Sequence, residues 1–133
     1  MVGYLFIDSD AMIEIDIKDI VKDYSFFSIL AHHHQGDIIF QGFIGSTPKN
    51  EIIYKALCDA YNINVSKLSN EFHLLCRNLC GIIKNNKFDF KYKLYEEELW
   101  NPDYLMNNRH SRSYNDNNEV ILKHYCIDKI IPK

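Results

Sequence analysis

The sequence predicts a single mixed α/β domain over residues 1–133, without regular strand–helix alternation. Three observations carry that reading. Short apolar runs bounded by turn residues recur in the first third, two amphipathic helical patterns follow in the middle, and period-two alternation returns afterwards. A length of 133 residues allows a real core, and 47% hydrophobic with 14% aromatic content is that of a folded chain.

Residues 3–8, Gly-Tyr-Leu-Phe-Ile-Asp, read as a short buried strand. From Met12 to Asp23, Ile13, Ile15 and Ile17 alternate with polar residues before Ile20-Val21, which suggests an extended segment and then a helical turn. Ser25–Ala31 and Ile38–Gly45 read as strands separated by the turn signal Gly36-Asp37. Ser46-Thr47-Pro48 is expected to open a helix reaching Tyr61, the hydroxyls capping and Pro48 in the first turn. Its stripe of Ile52, Ile53, Ala56, Leu57 and Ala60 should pack on the sheet.

A second helix is expected from Ser66 to Ile83, with Leu68, Phe72, Leu75, Cys76 and Leu79 on one face. Phe88–Tyr95 alternates like a half-exposed strand, residues 101–118 read as a long polar loop, and Glu119–Tyr125 as the last strand.

The net charge of −3 gives no basic field for nucleic acid. No apolar run approaches the ~20 residues that span a bilayer, so no transmembrane segment is expected, and no secretory signal is visible. Cys58, Cys76, Cys80 and Cys126 form no CxxC pair and read as buried or half-buried free thiols, which fits a reducing, cytoplasmic setting.

Asp8 and Asp10 raise the main functional question. Whether the strand continues or turns, both sit at a strand's carboxyl end, where open α/β sheets place ligands. Neighbouring carboxylates repel unless a cation lies between them, and Mg²⁺ or Mn²⁺ prefers such oxygen donors. The plainer reading is a solvated turn, since Asp is common there.

These residues resemble the DXD-type sugar-binding glycosyltransferases, family thirty-two, which includes fungal initiating mannosyltransferases. That family carries a Gly-Gly-x-Tyr-x-Asp-x-Asp element; here Gly3, Phe6, Asp8 and Asp10 occupy four of its positions and Tyr4 replaces the second glycine. The block from Ile38 to Tyr61 is similar to the family's strand-then-helix segment. The likeness covers residues 3 to about 62 and is loose beyond. It implies a GT-A-like fold, here a partial domain starting at the DxD strand, either a fragment of a longer enzyme or a truncated relative. It also implies retaining transfer from a nucleotide-sugar donor to a glycan, lipid or protein acceptor, with Mn²⁺ or Mg²⁺ as cofactor. Asp8 and Asp10 would contact donor and metal, Gln41 would touch the donor sugar as the catalytic candidate, and His124 would complete the metal shell.

Each residue also has a plainer reading. Gln41 has Gly42 beside it, which leaves room for a ligand in the functional reading; its plainer reading is a buried, hydrogen-bonded amide. His124 fits an ordinary strand histidine. His32, His33 and His34 cannot easily chelate one ion, because neighbours on an extended segment alternate faces. Asp37, Asp103 and Asp116 fit solvated loop acids, and Arg109, His110 and Arg112 fit a solvated loop more than a diphosphate clamp.

Two further functions stay open: a truncated, non-catalytic remnant that binds sugar or a partner protein, and a haloacid-dehalogenase-type phosphatase. Against the phosphatase, Met12 stands where that motif wants Thr or Val, and no GDxxxD follows.

Overall fold

A computed structural model describes residues 3–33, 35–100 and 110–125. The fold is mixed α/β. Seven strands form one sheet in the order β1-β4-β3-β5-β6-β7-β2: β1 (Tyr4–Ile7), β2 (Ala11–Ile13), β3 (Phe26–Ala31), β4 (Ile38–Ser46), β5 (Tyr92–Trp100), β6 (His110–Tyr114) and β7 (Val120–His124). Among the described residues only the β3–β5 pair is parallel; β1–β4, β3–β4, β5–β6, β6–β7 and β7–β2 are antiparallel. The sheet's two end strands, β1 and β2, are consecutive in sequence, so the sheet nearly closes on itself.

The helices of the described residues are α1 (Lys18–Val21), α2 (Glu51–Tyr61), α3 (Val65–Asn70) and α4 (Leu74–Asn85). The last three carry the chain across from β4 to β5.

Strand β3 lies between two cores. Phe26 joins Ile39, Ile52, Leu79, Cys80 and Ile83 beneath α2 and α4, with Leu30 packed alongside. Phe27 and Ile29 join Ile20, Phe43, Tyr95, Ile121 and Leu122 on the opposite face. This alternation follows from the two-residue period of a strand, and a strand apolar on both faces belongs in the interior. Ser28, fully buried, satisfies its hydroxyl by donating to the carbonyls of Phe43 (2.7 Å) and Phe40 (3.2 Å), across the β-bulge where β3 and β4 slip register. Opposite Phe27, Gly45 is required: a Cβ there would run into the Phe27 ring.

Several expectations are corrected. The strand ending at Asp8 exists, but it is not buried: all four residues of β1 are exposed, and it sits at the end of the sheet. Helix α2 starts later than the Ser-Thr-Pro signal, because β4 continues through Ser46 and Asn50 supplies the cap. Its Oδ1 accepts from the Ile52 N–H (3.0 Å), while its Nδ2 donates to the Ser25 carbonyl (3.1 Å) and fastens the helix to β3.

The second helix is broken. Glu71 is extended (φ −121°, ψ 94°), and Ser69 just before it turns its hydroxyl back to the Val65 carbonyl (3.0 Å). The buried face of α4 is therefore Leu74, Leu79, Cys80 and Ile83, while Phe72 is exposed. Strand β5 begins at Tyr92 because Phe88 and Phe90 stack on each other (5.3 Å) and enter the core under the helices instead of pairing. Part of the expected polar loop is strand β6, with His110, Ser111 and Ser113 buried; residues 101–109 lie outside the described residues. Cys58 is exposed rather than half-buried, Cys76 is partly buried and Cys80 buried, all three with free thiols; Cys126 lies outside the described residues.

Ile52 and Leu57 both belong to the expected stripe of α2, yet Ile52 is 0% exposed and Leu57 54%. Truncating Ile52 to Ala should cost about 2–5 kcal/mol in denaturant unfolding, whereas Leu57→Ala should stay within about 0.5 kcal/mol. In the same assay Gly45→Ala should cost about 1–3 kcal/mol, because the Phe27 ring it displaces is itself packed against Phe43 (5.6 Å).

Candidate functional site: the Asp10–His124 corner

Asp8, Ser9 and Asp10 form the corner between β1 and β2. The Asp8 N–H donates to the Gly42 carbonyl of β4 (2.8 Å), and the Ala11 N–H donates back to the Asp8 carbonyl (3.1 Å), closing a tight turn. On the other side the Tyr125 N–H donates to the Asp10 carbonyl (2.9 Å). The corner is thus stitched to β4 and to the end of β7. It is this double attachment that brings Asp10 to His124.

The Asp10 Oδ2 and His124 Nε2 lie 3.3 Å apart. The imidazole ring also rests on the Phe40 ring of β4, centroids 4.2 Å apart and tilted by 32°. The contact is a hydrogen bond in the tautomer that carries its proton on Nε2. Asp10 is exposed and His124 half-buried, so water screens one side of the pair and protein shields the other.

A second carboxylate belongs to this neighbourhood. Glu97 lies on β5 opposite Ser113 of β6, and Ser111 of β6 lies opposite His124. Burial pushes the Glu97 carboxyl above its usual value; the charge of His124 and a contact from Ser111 pull it partly back. The Ser111 hydroxyl is buried without a partner at full hydrogen-bond geometry, so its contact with Glu97 is a loose one. The composition Glu96-Glu97-Glu98 looks solvated. The signal that finds Glu97 is the period of two counted from the core residue Tyr95.

The expected site residues are therefore only partly assembled. Asp10 and His124 meet. Asp8 stays exposed at the corner, its Oδ1 accepting from the Ser9 N–H (3.3 Å). Gln41 is exposed rather than buried, and it lines a groove with Leu75, Asn78 and Leu79 of α4 on the helix side, while its neighbour Phe40 points to His124 on the other. Gly42 leaves no room for a ligand, since the Phe40 ring lies over it.

Among the described residues, no three His, Cys, Asp or Glu side chains are gathered to hold a metal ion. The donor types of the pair, a carboxylate oxygen and an imidazole nitrogen, do suit a divalent ion such as Mn²⁺, which would need further ligands from outside these two side chains.

The remaining candidates are engaged in local structure. Asp37 binds His32 (2.8 Å) and Lys84 (2.6 Å), and those contacts, Lys84 first, hold its carboxyl below the usual range. Asp116 pairs with Lys93 (2.7 Å), Arg112 donates to His110 (3.0 Å), and the His33 ring lies 5.0 Å from that of His73. His34, Asp103 and Arg109 lie outside the described residues.

A raised carboxyl binds its proton more tightly in the folded state than in the unfolded one. Its favourable contribution is therefore complete below the ordinary Glu range, about pH 4.3, and is lost as pH rises through the raised value. Glu97→Gln should accordingly be more stable than the wild type at pH 7, with the difference shrinking toward pH 4. Parallel urea titrations at both pH values check it, and an equal difference at both would contradict it.

Among the described residues no helix is long and apolar enough to cross a membrane. Comparison with protein-family models, with curated proteins and with solved structures found no significant match.

Proposed function

We propose that the chain carries the metal and diphosphate contacts of a GT-A-like glycosyltransferase, which moves a sugar from a nucleotide-sugar donor to a glycan, lipid or protein acceptor. The observation that supports this reading most is the convergence of Asp10 and His124. A histidine near one end of the sequence meets the second aspartate of an Asp-x-Asp corner near the other, at 3.3 Å. The aspartate pair resembles the Asp-x-Asp element of such enzymes and His124 has an expected place in their metal shell, and the pairing does not follow from their sequence positions.

In this reading Asp10 and His124 would hold the divalent ion directly, and Asp8, exposed at the corner, would contact ribose, sugar or a metal-bound water. The ion's contribution would be to offset negative charge on the departing diphosphate. Two protein ligands leave most of its coordination shell to water and donor, so metal binding and donor binding are coupled.

A second reading, binding of sugar or a partner protein without turnover, is favoured by the position of Gln41. It faces the helices, away from the Asp10–His124 pair, so the residue expected to touch the reacting sugar stands on the other side of the sheet.

Calorimetric titration with Mn²⁺, alone and with UDP- or GDP-sugars, tests the first reading. The expected result is weak Mn²⁺ binding that strengthens with donor and falls at least tenfold in both Asp10→Asn and His124→Ala. Mn²⁺ binding indifferent to both substitutions would overturn it. Release of nucleoside diphosphate during incubation with donor and acceptor separates transfer from binding alone.

A further inference from the structure

We infer that β1 is an association strand, and that a second copy of this chain pairs with it antiparallel across a two-fold axis through Phe6. The inference is independent of the proposed transfer chemistry. It begins with the sheet: among the described residues β1 is an end strand paired with β4 alone, and none of them pairs with its other edge.

The direction of the open groups follows from the pairing. The Asp8 N–H bonds to Gly42, which stands opposite it when the register Ile7↔Phe43 is continued by one residue. In an antiparallel ladder hydrogen-bonded pairs alternate, so Tyr4, Phe6 and Asp8 bond to β4 while the N–H and C=O groups of Leu5 and Ile7 point outward. Exposed edges in monomeric proteins are usually blunted by Lys, Pro, a bulge or an inward charge. The run Tyr4-Leu5-Phe6-Ile7 has none of these.

Both faces of the strand are apolar, the pattern of a strand with neighbours on either side. Tyr4 and Phe6 form one wall of an apolar groove whose other wall is Ile53 and Tyr54 of α2, with Ile44 between them. The exposures are high: Tyr4 70%, Phe6 60% and Tyr54 67%. Taking roughly 150–250 Å² per aromatic side chain, these three alone offer on the order of 300–500 Å². That is about half of the ~800 Å² each partner contributes to a standard interface, before Leu5, Ile7, Ile53 and Leu57 are counted.

A copy of the same strand fits this edge in one register. With Phe6 opposite Phe6 of the partner copy, Leu5 stands opposite the partner's Ile7 and Ile7 opposite the partner's Leu5. Those are the residues whose main-chain groups point outward, and the two pairs exchange four hydrogen bonds. The central Phe6 pair is then non-hydrogen-bonded, the closer kind, where cross-strand aromatic contacts are strongest. A two-fold axis normal to the sheet leaves both copies of α2 on the same face. The two apolar grooves then flank the Phe6 pair, and the interface closes on itself without growing into a fibre.

Sedimentation equilibrium over a concentration series is the test. The wild type should fit a monomer–dimer equilibrium, and Phe6→Lys should weaken it at least thirtyfold with an unchanged circular dichroism spectrum. Should Phe6→Lys fail to fold, Phe6→Cys decides: on the axis its two Cα atoms lie about 4.5 Å apart, within disulfide reach, so mild oxidation should give a covalent dimer. Phe72→Cys, still more exposed but on the α3–α4 connection, should not. A monomer at every concentration would overturn the inference. So would a dimer untouched by Phe6→Lys, equal cross-linking of both cysteine variants, or open-ended aggregates in place of a dimer.

Discussion

Strand β3 is buried on both faces, and the rest of the molecule takes its position from that constraint. A strand with Phe26 on one side and Phe27 and Ile29 on the other needs two covers. Helices α2 and α4 provide one; the isoleucines of residues 13–20, together with β7, provide the other. Asn50 ties the helical cover to the start of β3, and the Gly45–Phe27 contact fixes how closely β4 approaches. Remove the side chains of β3 and neither layer has anything to pack on.

The corner at Asp8–Asp10 follows from the same requirement. For the segment after β1 to cover the second face, the chain must leave the β4 side of the sheet and rejoin it beside β7. It does so within three residues, using hydrogen bonds to Gly42 on one side and from Tyr125 on the other. Placing Asp10 beside His124 is a consequence of that route. Asp10 is therefore placed by the crossing and partnered by the His124 imidazole, while Asp8 stays exposed at the turn itself.

Much of the fold was legible in the sequence where the period of the apolar residues was unambiguous. Phe26–Ala31, Ile38–Ser46, α2 and the last strand fall within a residue or two of expectation apart from the helix start. What failed has a common physical origin. Strand β6 buries His and Ser, so polarity disguised it as loop, and β1 looks buried because its composition is that of an interior strand although the structure leaves it exposed. The break before α4 depends on competing local hydrogen bonds, which helical periodicity does not register. At the site, Asp10 and His124 are legible as candidates in the sequence; Glu97 is not, because its burial depends on strand pairing, and the face occupied by Gln41 depends on β4 and α4.

The most direct test of the account is paramagnetic broadening of assigned amide signals by Mn²⁺ at low stoichiometry. Binding at the corner predicts loss of signal centred on residues 8–11 and 123–125, with Gln41 and the α4 face less affected than Asp10 and His124. Broadening centred instead on the acidic groove lined by Asp16, Asp19 and Asp116, or spread evenly over the surface carboxylates, would contradict it.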